Sequence, residues 1–391
     1  MLQRSCLYLS LLAVVAACST YRSNPQTTYL NAEKVILPTE FNCSYILVEA
    51  SVNQSLPRWF LLDTGSNVNL LDANNFPTED FQPAAPFHWL IYPGGFRPTH
   101  PVTVDIGGAN FREVSVLLAP DEEVFLVLEA FLQRDIAGIV GINLFSQSTL
   151  EIDYQTESVA ITKNPLNPAN GNDILPVQML GGVPMIKGRI GDRLLSVHVD
   201  TGYTLGPPFL NSEIAGLESD QLIPVGISQN IHGNYVYSAG RLNKPFNIGN
   251  TAIHNMTIQI AEKANPTNRY DVIIGGQTLK HFSTIFDVKN KHIQFRPHTG
   301  AVIYDDPYFT TGVGIAFRNQ RWLVGFAMDH PEVEASGIRV GDEVISINNQ
   351  AMGCKTIMEP KPESTHLTIM RDGEEININL PSIKLFTEEV K

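Results

Sequence analysis

The sequence predicts a mainly β protein: two homologous β-barrel lobes followed by a small α+β domain. Three observations predict it. The tripeptide Asp-Thr-Gly occurs twice, as Asp63-Thr64-Gly65 and Asp200-Thr201-Gly202, each time directly behind a short apolar run. A series of further landmarks follows each copy in the same order. The final stretch, from about Tyr304, repeats nothing and mixes strand and helix signals.

The chain has 391 residues, 43% hydrophobic and 17% charged, enough for two or three globular domains. Its formal net charge of −13 argues against nucleic acid as a partner, because a phosphate backbone wants a basic face. At the N-terminus, Arg4 precedes the apolar run Leu7–Ala16, which is too short to span a bilayer comfortably. Val15-Ala16-Ala17-Cys18 resembles the bacterial lipobox. The resemblance implies a signal peptide over residues 1–17, cleavage before Cys18 and lipidation of its thiol, which would tether the protein to the cell envelope. Ser19, rather than Asp, follows the cysteine, which by analogy with lipoprotein sorting favours the outer membrane. Residues 18–34 are polar and read as a flexible tether, with order beginning near Val35.

The first lobe is assigned to residues 35–165. Tyr45–Val52 and Arg58–Leu62 read as a hairpin that delivers Asp63, with turn residues between them. Val102–Ile106 alternates cleanly, Gly107-Gly108 turns, and Val114–Leu118 returns. Leu126–Arg134 reads as a short helix, and Thr149–Ile152 and Ser158–Ile161 as strands. Lys163–Asn172, rich in Pro and Asn, is a linker.

The second lobe, residues 172–300, repeats this pattern. Pro184–Ile190 and Arg193–Val199 form the hairpin that delivers Asp200. Ile248-Gly249-Asn250 matches Ile106-Gly107-Gly108, Ile273–Leu279 matches Ile139–Phe145, and Thr284–Asp287 matches Leu150–Asp153. Asp63 and Asp200 are 137 residues apart, Gly107 and Gly249 are 142, and Gly141 and Gly275 are 134, as are Asp153 and Asp287. Landmarks that keep their order while spacing drifts by a few residues are what duplication followed by loop variation produces.

Two carboxylates in matched settings suggest a pair that meets. Held a few ångströms apart, they cannot both ionise cheaply, so the pair keeps one proton and offers a general base and a general acid at once. Asp63-Thr64-Gly65-Ser66 and Asp200-Thr201-Gly202-Tyr203 are each followed by an apolar-apolar-Gly motif, Ile139-Val140-Gly141 and Ile273-Ile274-Gly275. Together these resemble the two halves of a pepsin-like or retropepsin-like aspartic protease, over roughly Val35–Pro297. The resemblance implies two lobes around a central cleft, a catalytic pair Asp63 and Asp200, and a polypeptide substrate bound extended. It also implies that Thr64 and Thr201 cross-brace the two loops, that Gly65 and Gly202 let backbone N–H groups approach the carboxylates, and that Ser66 hydrogen-bonds an outer carboxylate oxygen. Tyr203 departs from the small residue usual there and must point elsewhere or reshape that wall. Tyr92, Gly94, Gly95 and Phe96 are the flap candidates, with His232–Tyr235 a weaker counterpart. The alternative is a peptide-binding lipoprotein that keeps the fold without turnover. Because the duplication lies within one chain, a monomer is expected.

Residues 304–385 form the third predicted domain. Thr311–Phe317 and Trp322–Phe326 read as strands, Pro331–Gly337 as a helix, and His366–Met370 pairs with Glu375–Leu380 through Asp372-Gly373. Glu334–Asn349, with Ser336-Gly337-Ile338 and Gly341-Asp342-Glu343-Val344-Ile345, resembles the most specific stretch of a PDZ domain. The resemblance implies capture of a C-terminal peptide, or an intramolecular partner; Pro360 and Pro362 shorten the helix that would wall the groove. Ten scattered histidines, no Gly-x-Ser-x-Gly elbow and no complete dinucleotide loop leave no metal site or cofactor expected. An oxidising compartment permits a bridge between Cys43 and Cys354. They fall in different predicted domains, however, which favours two buried free thiols at least equally.

Overall fold

The computed structural model describes residues 25–76, 81, 95–119, 123–167, 173–204, 206–219, 221–230, 233–261, 270–358 and 363–386. Strands account for 53% of the structure and helices for 10%, so the protein is mainly β. The elements that position the two aspartates come first in the argument. Tyr45–Val52 and Arg58–Asp63 pair antiparallel, with Leu47 opposite Leu61 and Ala50 opposite Arg58. The strand Gly138–Gly141 runs parallel to Arg58–Asp63, placing Gly141 opposite Asp63, and antiparallel to Asn69–Asp72. It therefore fills the gap between the two strands that flank the first Asp-Thr-Gly loop. Strands walled in on both sides are expected to be continuously apolar, as Phe60-Leu61-Leu62 and Ile139-Val140 are.

The same arrangement recurs around Asp200. Val183–Ile190 and Arg193–Val199 form the antiparallel pair, with Met185 opposite His198. Val272–Ile274 runs parallel to Arg193–Val199 and antiparallel to Phe209–Leu210. A third sheet is shared. In it Thr149–Asp153 pairs antiparallel with Phe282–Asp287, Thr149 facing Asp287 and Asp153 facing Ser283. These are the segments that match each other in the sequence, and antiparallel pairing of equivalents is what a two-fold relation demands. One apolar cluster runs across both halves, taking in Leu62, Leu150, Val199 and Phe286.

Two expectations are corrected, and one alternative left open is decided. Order does not begin at Val35, and the predicted tether over residues 18–34 is partly sheet: Thr27–Leu30 is a strand paired with Ala109–Arg112, and Lys34–Ile36 pairs with Ala160–Thr162. The consecutive threonines that read as linker are β-branched and suit an edge strand, with Thr28 buried and Arg112 lying 4.8 Å over the Tyr29 ring. Next, Leu222–Asn230 and Gly233–Arg241 form a hairpin of two nine-residue strands where only a loop tip at His232–Tyr235 had been marked; His232 itself lies outside the described residues. Finally, of the two states open to Cys43 and Cys354 the structure has the bridge: they form a disulfide, with Cα atoms 6.0 Å apart across a sequence separation of 311.

The reason for the disulfide lies in how the last segment is seated. Its five-stranded path runs Val313–Arg318, Arg321–Ala327, Glu343–Ile347, Thr365–Arg371, Glu374–Leu380. The helix Pro331–Ser336 starts with Pro at its first turn and is capped by Gly337 at φ 74°. A second helix, Cys354–Met358, is five residues long. The helix Glu123–Leu132 of the first half packs against this unit, with Phe131 6.2 Å from the Trp322 ring and Gln133 Nε2 donating to the Met352 carbonyl at 2.7 Å. Cys354 joins Tyr45, Leu61 and Phe131 in one apolar cluster. On the other side, Ile227 of the long hairpin lies so close that a Cβ at Gly314 would fall 2.7 Å from its backbone nitrogen.

Candidate active site

Each Asp-Thr-Gly leaves its strand by the same turn. The Ser66 N–H donates to the Asp63 carbonyl and the Tyr203 N–H to the Asp200 carbonyl, both at 3.2 Å. The Gly65 N–H donates to Asp63 Oδ1, and the Gly202 N–H to Asp200 Oδ1, both at 2.8 Å. The two turns are then locked to each other. The Thr64 N–H donates to Thr201 Oγ1 at 2.9 Å and the Thr201 N–H to Thr64 Oγ1 at 3.0 Å. The hydroxyls complete the exchange: Thr64 Oγ1 donates to the Val199 carbonyl at 3.0 Å, and Thr201 Oγ1 to the Leu62 carbonyl at 2.8 Å. Both threonines are fully buried, so each hydroxyl is satisfied entirely within the brace.

The glycines show how tightly the loops meet. A Cβ on Gly65 would fall 2.2 Å from Asp200 Cγ, and one on Gly202 would fall 2.7 Å from Asp63 Cγ. Behind them, the Ile142 N–H donates to the Ser66 carbonyl at 2.9 Å and the Gly276 N–H to the Tyr203 carbonyl at 3.0 Å. The Gly141 and Gly275 motifs thus back the two loops, and at Gly275 a Cβ would overlap the Tyr203 carbonyl oxygen at 1.5 Å.

The Asp63 and Asp200 carboxyls lie close enough for one, protonated, to donate to the other. Burial, followed by the charge of Asp200 and that hydrogen bond, pushes the Asp63 carboxyl well above the ordinary carboxylate range. Burial also raises Asp200, while hydrogen bonds from Asp63 and from the backbone of Gly202, Tyr203 and Gly65 pull the other way. Two groups this close titrate as a pair, and the pair keeps one proton at a pH where isolated carboxylates have lost theirs. The arrangement can therefore offer a proton acceptor and a proton donor within one small space.

Of the residues that follow the tripeptides, Ser66 departs from expectation and Tyr203 does not. Ser66 Oγ donates to the Val68 carbonyl at 2.9 Å and accepts from the Val68 N–H at 3.3 Å, so it serves its own turn and not a carboxylate. Tyr203 points away, its hydroxyl donating to the Pro207 carbonyl at 3.1 Å and accepting from Gln259 Nε2. Among the flap candidates, Tyr92 and Gly94 lie outside the described residues. Gly95 has φ 82°, and Phe96, rather than standing at an open tip, is buried in the cluster of Tyr45 and Leu61. Cys18 also lies outside the described residues.

Sequence reasoning missed three groups around the pair. Burial pushes the Tyr45 phenol up to about 12, with the charges of both aspartates adding to the effect. Tyr154 is raised by burial too, with Asp200 contributing. Burial lowers the His198 imidazole to about 4, against the attraction of Asp63. His198 could have been found by aligning the halves, since it stands two residues before Asp200 where Leu61 stands before Asp63. No local pattern marks the tyrosines. Among the described residues no three His, Cys, Asp or Glu side chains group as metal ligands, and no helix is long and apolar enough to cross a membrane. No protein-family model matches the chain, and no curated protein matches it.

Proposed function

We propose that the chain is an aspartic endopeptidase that hydrolyses extended polypeptides with a water activated by Asp63 and Asp200. The observation that carries the reading is the reciprocal Thr64–Thr201 brace, which holds two electrostatically coupled carboxyls at the junction of two similarly built halves. In the reaction, the ionised carboxylate takes a proton from water as the water oxygen bonds to the scissile carbonyl carbon. The protonated partner donates to the carbonyl oxygen as it becomes tetrahedral. Collapse breaks the C–N bond, and the proton taken from water goes to the leaving amine. The halves are read as pepsin- or retropepsin-like lobes, and the last segment as a PDZ-like domain whose partner is intramolecular. The contacts of Trp322 with Phe131 and of Gly314 with Ile227 support that partner. The lipobox-like Val15–Cys18 supports a lipid anchor in the bacterial envelope.

The test is hydrolysis of an unfolded polypeptide from acid to neutral pH by wild type and by Asp63→Asn. Cleavage by the first and not the second is expected; equal inertness at every pH would sink the reading. A second reading, peptide binding without turnover, is favoured by Tyr203, which puts a phenol anchored to Pro207 where a small hydroxyl residue is usual. It predicts peptide binding that survives Asp63→Asn, with no products from either protein.

A further inference from the structure

The two halves reach across to each other a second time, at the tips of two hairpins. In the second half, Gln178–Leu180 and Val183–Ile190 are joined by Gly181-Gly182. This turn abuts the loop of the first aspartate: Asn67 Nδ2 donates to the Gly181 carbonyl at 2.6 Å, and a Cβ on Gly182 would fall 2.8 Å from the Asn67 Cβ. In the first half, Thr39–Asn42 and Tyr45–Val52 are joined by Cys43-Ser44. This turn abuts the loop of the second aspartate: a Cβ on Gly276 would fall 2.5 Å from the Ser44 Cβ and 3.3 Å from Thr204 Cγ2. Asn67 and Thr204 hold matched positions, each four residues past its aspartate. Gly276 is also the residue whose N–H backs the Tyr203 carbonyl, and the Tyr203 N–H closes the turn on the Asp200 carbonyl.

The two tips share a conformation and differ in the residues that adopt it. All four residues are left-handed, with φ 63° and 86° at Gly181 and Gly182 and φ 54° and 68° at Cys43 and Ser44. Two such residues give a turn that follows the twist of a hairpin, and glycine takes the conformation freely. Cysteine and serine do not, because their Cβ crowds the backbone there. The first half therefore carries two unfavourable residues where its counterpart carries two favourable ones. Each does something a glycine cannot. Ser44 presents the Cβ that lies against Gly276. Cys43 makes the bond to Cys354, the first residue of the helix Cys354–Met358 in the C-terminal unit. A turn that its own residues disfavour is thus held from outside.

Resting on the protease reading of the same site, we propose that Ser44 is a positioning residue for the Asp200 turn, and that the C-terminal unit, through the Cys43–Cys354 disulfide, holds it in place. The unit then acts on the chemistry without touching substrate. Without the bond, the tip relaxes from a conformation it does not favour, its contact with Gly276 loosens, and the backing of Asp200 loosens with it. The Asp63 side has no such dependence, because Gly181-Gly182 keeps its shape untied.

The test uses the full-length protein and reads peptidase kinetics, thermal unfolding and amide hydrogen exchange. Ser44→Gly relieves the turn and removes the contact. Its Tm is expected to hold or rise while kcat falls about tenfold at unchanged KM, well inside what a misplacement of about 1 Å can cost. The Gly276 amide should exchange about tenfold faster. The Ile142 amide, which backs the first loop in the same way, should keep its wild-type rate. Gly276→Ala alone clashes with Ser44, and Ser44→Gly makes room for it, so the double variant should regain the kcat that each single variant loses. The tie is tested by comparing Cys43→Ala with Cys43→Asn, both in a Cys354→Ala background. Both lose the closed loop and its stability. Asparagine accepts left-handed backbone, so only Cys43→Asn is expected to recover kcat. Wild-type kcat and exchange in Ser44→Gly, or equal kcat in the two Cys43 variants, would overturn the proposal and leave the protease reading standing. Faster Gly276 exchange in Ser44→Gly, in a protein whose wild type cleaves nothing, would uphold the coupling and sink the protease reading.

Discussion

The two halves around the aspartate pair differ in a consistent way. Backbone is duplicated almost bond for bond: the same turn, the same glycine N–H to carboxylate contact at 2.8 Å, the same threonine brace. Side chains near the two turns are not duplicated. The first half has Leu61, Ser66 and Phe96 there, Leu61 and Phe96 buried together; the second has His198, whose nitrogens have no partner, and Tyr203, whose hydroxyl links the Pro207 carbonyl to Gln259. The lesson is that symmetry is kept where hydrogen bonds cross between halves, since one altered partner there strands a buried group on the other side, and is lost where each side chain answers only to its own half.

The largest expected effect tests whether the pair acts as a unit. Asp63→Asn and Asp200→Asn should each lower kcat/KM by about 10²- to 10⁴-fold, the usual reach of general acid–base groups. Peptidase kinetics read the loss, and comparable losses from the two sides are expected despite their different surroundings. If one variant kept near-wild-type turnover, the shared-proton scheme would not stand.

The next effect concerns how the halves attach to the C-terminal unit. The first half is linked by the disulfide Cys43–Cys354; on the second half's side Ile227 packs on Gly314, and Arg241 lies over Phe386 and donates to the Asp306 carbonyl. Cys43→Ala with Cys354→Ala should cost about 2–5 kcal/mol in denaturant unfolding, because a loop of this length no longer restrains the unfolded chain. Ile227→Ala should cost less. A larger loss from the isoleucine would reverse the ranking.

Breaking the brace comes third. Thr64→Val and Thr201→Val each remove a hydroxyl that donates once and accepts once. Each is expected to cost about 1–3 kcal/mol, from the backbone groups left unpaired. The double variant should fall short of the sum, because both hydroxyls serve one network. Full additivity in a double-mutant cycle would mean the loops are braced independently.

The smallest effect is one of pH. Burial raises both carboxyls above their unfolded values, so the folded form binds a proton more tightly than the unfolded one. The pair's favourable contribution is then fully present below the ordinary carboxylate value of about 4 and is lost as pH rises through the folded value. Asp63→Asn removes this loss. Its Tm should exceed that of wild type near neutral pH, and the gap should close in acid. A gap that widened on acidification would carry the wrong sign.

Much of this site was legible in one dimension because it is built from local signals. A strand of alternating or continuous apolar residues, a turn that needs glycine, and a carboxylate between them span fewer than ten residues, as in Arg58–Gly65. The spacing between repeated landmarks then located the second copy and its backing glycines. Other features were illegible for equally specific reasons. Thr27–Leu30 becomes a strand only because the edge of Ala109–Arg112 receives it. Ser66 was expected at a carboxylate but bonds Val68, because carbonyls compete for a hydroxyl at distances no spacing rule encodes. Nine-residue strands at Leu222–Asn230 and Gly233–Arg241 carry Gly and polar residues that mask their period.

By itself the sequence determined the mainly β character and located the two matching Asp-Thr-Gly turns that the structure joins, since each depends on short-range periodicity and chain order. Tertiary structure alone decided which groups face the pair and which segments join. Cys43 meets Cys354 across 311 residues because the helix Glu123–Leu132 seats one unit on another, and His198 stands without a partner because folding walls it in. Contacts of that kind arise from packing between surfaces distant in the chain, and their energy belongs to the assembled fold and to no stretch of it.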